Sequence, residues 1–115
     1  ETWRPAPPHE GEGLAAFHTH QAGDKGFGPA LGPDATRYLA ERLAARGWHI
    51  TLARSDWRLG PEDRRLIADL ADGSIGAVGD TGQLDADTFA AWSAGRRSAT
   101  HVTVGHLDLL ALPGP

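Results

Sequence analysis

Cysteine is absent from all 115 residues. This excludes a disulfide framework and any thiolate metal site, and it accords with a cytoplasmic setting. Excess positive charge is also lacking. Eleven Lys and Arg stand against fifteen Asp and Glu, a formal net charge of −4, which argues against a protein that grips nucleic-acid backbones. No apolar run approaches the ~20 residues of a membrane span, and no basic-then-apolar leader opens the chain. Neither a nucleic acid nor a membrane is therefore expected as a partner. Internal repeats are missing too, and so is a complete catalytic set. Ser55 and Asp56 lack the nucleophile-elbow context of a hydrolase. Gly26-Phe27-Gly28 lacks the preceding strand and the Lys-Ser/Thr ending of a phosphate-binding loop. What remains is one domain's length of chain, 40% hydrophobic, enough for a single small core.

The most instructive stretch is Asp24-Lys25-Gly26-Phe27-Gly28-Pro29-Ala30-Leu31-Gly32-Pro33-Asp34. Its glycines allow positive φ, and its prolines fix φ and push Gly28 and Gly32 towards extended backbone. Neither a helix interior nor a central strand fits there, so an ordered loop with a definite path is predicted. A scaffold can hold the side chains of such a loop towards a ligand.

Around this loop the chain alternates between helix and strand patterns. Residues 1–13, with three prolines and two glycines, are expected to be irregular and extended. Leu14 to Gln21 suits about two helical turns. His18 and His20 stand there near Asp24, a weak metal-ligand pattern without a third ligand at a defined spacing. Asp34 is expected to cap a helix over Ala35 to Arg46, with Tyr38, Leu39 and Leu43 as its apolar stripe, Arg37 and Glu41 as an exposed i, i+4 pair, and Gly47 as its stop. Trp48 to Arg54 alternates as a half-buried strand that Gly60-Pro61 finally breaks. A helix then begins at Pro61, carries Leu66, Ile67, Leu70 and Ala71 on one side, with Ile75 and Val78 as candidates to continue the stripe, and is expected to fray or end near Gly73, Gly76 and Gly79. Another helix covers about 85–98 and buries Phe89 and Trp92. A closing strand over His101 to Leu112 is apolar on both faces, which asks for cover on both.

Three pieces of this pattern carry a resemblance. His20-Gln21 with the Asp24–Ala35 run, then Arg54-Ser55-Asp56-Trp57-Arg58-Leu59-Gly60-Pro61, then Val104-Gly105-His106-Leu107-Asp108-Leu109-Leu110-Ala111 together resemble the C-terminal half of a group of bacterial class I S-adenosylmethionine-dependent methyltransferases. The likeness spans roughly residues 14–112. It implies an α/β fold, the C-terminal part of a Rossmann-like methyltransferase sheet: helix, strand, two inserted helices and an antiparallel last strand. Residues 14–115 would form its substrate-side part. The family's first strand, glycine-rich turn and acidic residue after the second strand have no counterpart here. S-adenosylmethionine is therefore expected only for a complete enzyme that includes the missing N-terminal half, and this segment alone is expected to be inactive, with no cofactor-binding residue of its own.

The resemblance also nominates side chains for the acceptor side. Lys25 would pair with a substrate anion, Phe27 would cover the pocket, and Asp24 or His20 would orient the acceptor, whose identity is unknown. The alternative is structural, with Asp24 and Lys25 paired to fix the loop and Phe27 in the core. Trp57 and Arg58, at a strand end, form a second candidate patch whose alternative is edge packing. His106 is expected to be a hydrogen-bonded structural histidine. Independently of any family, two strands paired only with each other make a marginal sheet with unprotected edges. Either further strands complete it or a second copy covers its edge. The latter leaves a different function in play, a non-enzymatic α/β module that dimerises or binds a partner.

Overall fold

The computed structural model describes residues 1–115. Nine elements follow one another: β1 (Thr2–Arg4), α1 (Glu10–Ala22), α2 (Ala35–Ala44), β2 (His49–Arg54), β3 (Trp57–Leu59), α3 (Arg64–Thr81), α4 (Ala86–Ser98), β4 (His101–Val104) and β5 (Leu107–Leu112). Short 3₁₀ turns at Gly32–Asp34 and Pro61–Asp63 lead into α2 and α3. The architecture is mixed α/β with four helices and two small antiparallel sheets, one ordered β1-β4-β3 and the other β2-β5. No helix is long and apolar enough to cross a membrane.

The two sheets are successive halves of one bent ribbon. Arg54 lies opposite Leu107 and Trp57 opposite Val104, so the register carries through and no residue is inserted between the halves. Ladder pairing lapses only at Ser55-Asp56 and Gly105-His106. There the Ser55 N–H still donates to the His106 carbonyl at 3.1 Å, and the His106 N–H turns to Asp56 Oδ1 at 3.0 Å. The single strand expected over His101–Leu112 is thus divided, because a carboxylate replaces a backbone carbonyl as the acceptor.

On one side of this break lies a well-filled lobe. Trp3, Val102 and Leu59 stand side by side across β1, β4 and β3. Ile67, Ala71, Ile75 and Val78 form the stripe that α3 turns towards them, and Ala16 of α1 and Trp92 of α4 complete the cluster. A buried Trp removes about 150–250 Å² from water, roughly 4–6 kcal/mol at ~25 cal/mol per Å² before entropic costs. The expectation of an irregular 1–13 is corrected here. Trp3 is 2% exposed, so its burial draws Thr2–Arg4 into the sheet, and α1 begins at Glu10. The expectation that α3 frays or ends near its glycines is corrected at Gly73 and Gly76, which face open space while Ile75 and Val78 carry the buried stripe on. The helix ends at Thr81, just past Gly79, with Gly82 at a φ of 63°.

A charge sits inside this lobe. Arg96 is fully buried, with its guanidinium 4.1 Å from the Trp3 ring and 4.9 Å from that of Trp92. Its Nη1 and Nη2 donate to Glu1 Oε1 and Glu10 Oε1, each at 2.7 Å, and Trp92 Nε1 donates to the same Glu10 oxygen at 3.1 Å. Burying a cation is tolerable only with such partners, and aromatic faces add to them. Gly13 is required beside this arrangement, because a Cβ there would overlap the Trp92 ring.

Beyond the break the molecule thins to an arm, with α2 packed on one face of β2 and β5. Register places Ile50, Leu52, Leu107, Leu109 and Ala111 on one face, and Thr51, Ala53, Leu110 and Leu112 on the other. The alternating burial of β5 puts α2 against the first set. Nothing covers the second set; Leu110 and Leu112 are 55% and 50% exposed. The stripe expected for α2 shifts accordingly. Thr36, Ala40 and Leu43 are its more buried positions, while Tyr38 and Leu39 are exposed. Asp34 makes no side-chain cap, because the turn after Gly32 already carries it along the helical path. The resulting dimensions are 55 × 34 × 20 Å with a radius of gyration of 16.8 Å, against about 13 Å for a compact chain of this size.

Candidate functional site

The ribbon break opens a cleft of about 470 Å³ between lobe and arm. Phe17, His18 and Gln21 of α1 form one wall, Thr36 and Arg37 in the first turn of α2 another, and Arg54 with Val104–Leu107 the floor. Each polar group arrives there for a local reason. Arg54 ends β2, and its Nη2 donates to Asp56 at 2.9 and 3.0 Å. Gly105 leaves the room this pair needs, since a Cβ would lie 3.1 Å from Arg54 Nη2. The Asp56 carboxyl is held below the usual carboxylate range, first by the His106 N–H and then by Arg54. His106 carries its Nδ1 3.1 Å from the Val104 carbonyl oxygen and stacks on Trp57 with ring centroids 4.7 Å apart.

A second hollow adjoins the first and shares Phe17, Gln21 and Gly32 with it. The loop 23–31 forms its rim. Gly26 and Gly28 have φ of 114° and 87°, values that L-residues rarely adopt. Asp24 Oδ1 accepts the N–H groups of Gly26 and Gly28 at 2.8 and 3.0 Å, and these bonds hold its carboxyl below the ordinary range. Lys25 Nζ donates to the His20 and Gly23 carbonyls, where a cation suits the end of α1. The expected Asp24–Lys25 pair does not form, because each finds backbone partners. Nor does Phe27 enter the core; it is fully exposed.

The six nominated residues therefore do not make one site. His20, Lys25 and Phe27 border the second hollow, with Asp24 tying the loop beneath them. His20 Nε2 lies 3.7 Å from Asp80 Oδ2, and His18 turns into the cleft instead. No three His, Asp or Glu side chains gather as a metal site. Trp57 backs the cleft through His106. Arg58 lies on the outer face of the lobe sheet with Arg4, His101 and Thr103. Sequence reasoning did not gather His18, Arg37, Arg54 and His106. One signal was present: polar residues interrupt both apolar alternations, at Ser55-Asp56 and at Gly105-His106.

A nucleoside cofactor is another matter. The glycine-rich segment follows α1 rather than a strand, so it makes no strand–turn–helix cradle for such a group. That segment does not supply the glycine-rich turn of an S-adenosylmethionine pocket. No protein-family model matches the chain, and no curated protein or solved structure matches it either.

Proposed function

We propose that the chain is the C-terminal, substrate-side part of a bacterial, cytoplasmic class I S-adenosylmethionine-dependent methyltransferase, active only with a cofactor-binding half that continues its sheet. One observation supports the reading most. Helix α2 leads into β2, β3, α3, α4 and β4 intervene, and β5 returns antiparallel beside β2 with its other edge unpaired and one face of the pair uncovered. That order resembles the end of the methyltransferase sheet, where further strands and helices would occupy the free edge and the bare face. The three sequence segments quoted above add to it. His20, Lys25 and Phe27 would then stand on the acceptor side, with Asp24 holding their loop.

Calorimetric titration with S-adenosylmethionine tests this. The 115-residue chain should give no binding heat, and the polypeptide that includes its upstream coding sequence should bind stoichiometrically. Absence of binding by the longer polypeptide would defeat the reading. The unpaired edge also favours a second one, a non-enzymatic module that dimerises through the β5 edge. A native mass of twice the protomer, at the coded length and without cofactor binding, would favour that alternative.

A further inference from the structure

The cleft at the ribbon break has a chemistry of its own, independent of any enzyme class. His106 is fixed on every side but one. Its N–H is bound to Asp56 Oδ1, its carbonyl accepts from Ser55 N–H, and its ring lies against Trp57. A carbonyl oxygen only accepts, so the 3.1 Å contact between Nδ1 and the Val104 oxygen places the ring proton on Nδ1. In that tautomer of the neutral ring Nε2 carries the lone pair, and it has no hydrogen-bond partner within the chain. Two guanidinium groups line the same cleft. Arg54 gives Nη2 to Asp56 and leaves Nε and Nη1 unused, and Arg37 makes neither an ion pair nor a side-chain hydrogen bond. Glu1 is the acid among the lining residues; its Oε1 accepts from Arg96 Nη1 at 2.7 Å, a cation it shares with Glu10.

We propose that this cleft binds a small hydroxycarboxylate. Its carboxylate lies against Arg37 and the free edge of Arg54, and its hydroxyl donates to His106 Nε2. Guanidinium groups suit a planar carboxylate through paired N–H donors. An imidazole Nε2 acceptor, oriented by the Nδ1 contact, selects a donor that a plain carboxylate lacks.

Matched probes test both halves. Glycolate against acetate, and 4-hydroxybutanoate against butanoate, are titrated into the 115-residue protein and followed by amide and side-chain nitrogen resonances. The hydroxylated member of at least one pair should bind roughly 2- to 10-fold more tightly, the worth of one hydrogen bond. Arg37→Gln should weaken every probe by about 3- to 10-fold. His106→Phe keeps a ring beside Trp57 and should abolish only the hydroxyl preference. In the unliganded protein, long-range proton–nitrogen correlations should show His106 protonated at Nδ1. Protonation at Nε2 instead, no perturbation of cleft resonances by any probe, or a hydroxyl preference that survives His106→Phe would each overturn the proposal. Should His106→Phe fail to fold, the tautomer and Arg37→Gln measurements still decide it.

Discussion

Trp92 and Leu110 are both large apolar side chains on regular elements, yet one is fully buried and the other more than half exposed. The difference belongs to the regions that hold them. The lobe has three helices and a three-stranded sheet closing around one cluster, with even its buried cation paired. The arm has a single helix on one face of two strands. Alternation in sequence fixes which side chains share a face. Whether something covers that face depends on how many layers are present.

Substitutions sharpen the contrast, beginning with the strongest. Trp92→Ala should cost about 3–5 kcal/mol in denaturant unfolding, whereas Leu110→Ser in the arm should change stability by no more than ~0.5 kcal/mol. Equal losses would mean that the arm shares the lobe's core. Two glycines in helices give the next test. Gly13→Ala drives a methyl group into the Trp92 ring and should cost about 1–3 kcal/mol, while Gly73→Ala, in open space, should be neutral or stabilise by up to ~1 kcal/mol.

The join between the regions responds to pH. The folded pKa of Asp56 lies below its ordinary 3.8 because the charged form accepts from His106 N–H and Arg54. Its stabilisation of the break is therefore complete above the unfolded pKa and fades as pH falls through the lower folded value. Chemical shifts of the His106 amide should follow that titration, and in Asp56→Ala they should not. The smallest effect is expected at Asp24→Ala. Amide exchange at Gly26 and Gly28 should quicken while the global unfolding midpoint stays put.

Much of the chain was legible in advance where local chemistry and tertiary context agree. Both α4 and β2 stand close to where periodicity places them. Legibility failed where distant residues decide. Trp3 stood in a stretch expected to be irregular because its partners lie in β4 and α4. Glycines in α3 looked like breakers because the buried stripe that holds them is set by the sheet opposite. In the candidate site the same limit applied: Phe27 and Lys25 drew attention by type, but the cleft depends on a carboxylate at Asp56 reaching His106 across the ribbon. The expected hydrogen-bonded role of His106 fits its Nδ1, and its free Nε2 became visible only with the cleft.

Residue-resolved hydrogen exchange on the 115-residue chain tests most directly the claim that the arm is an uncovered layer joined to a self-sufficient lobe. Amides of His49–Arg54 and Leu107–Leu112 should exchange by local opening, at least tenfold faster than those of α3 between Ile67 and Val78. Arm amides as slow as those of α3 would contradict the account, because the two-stranded sheet would then need no further cover.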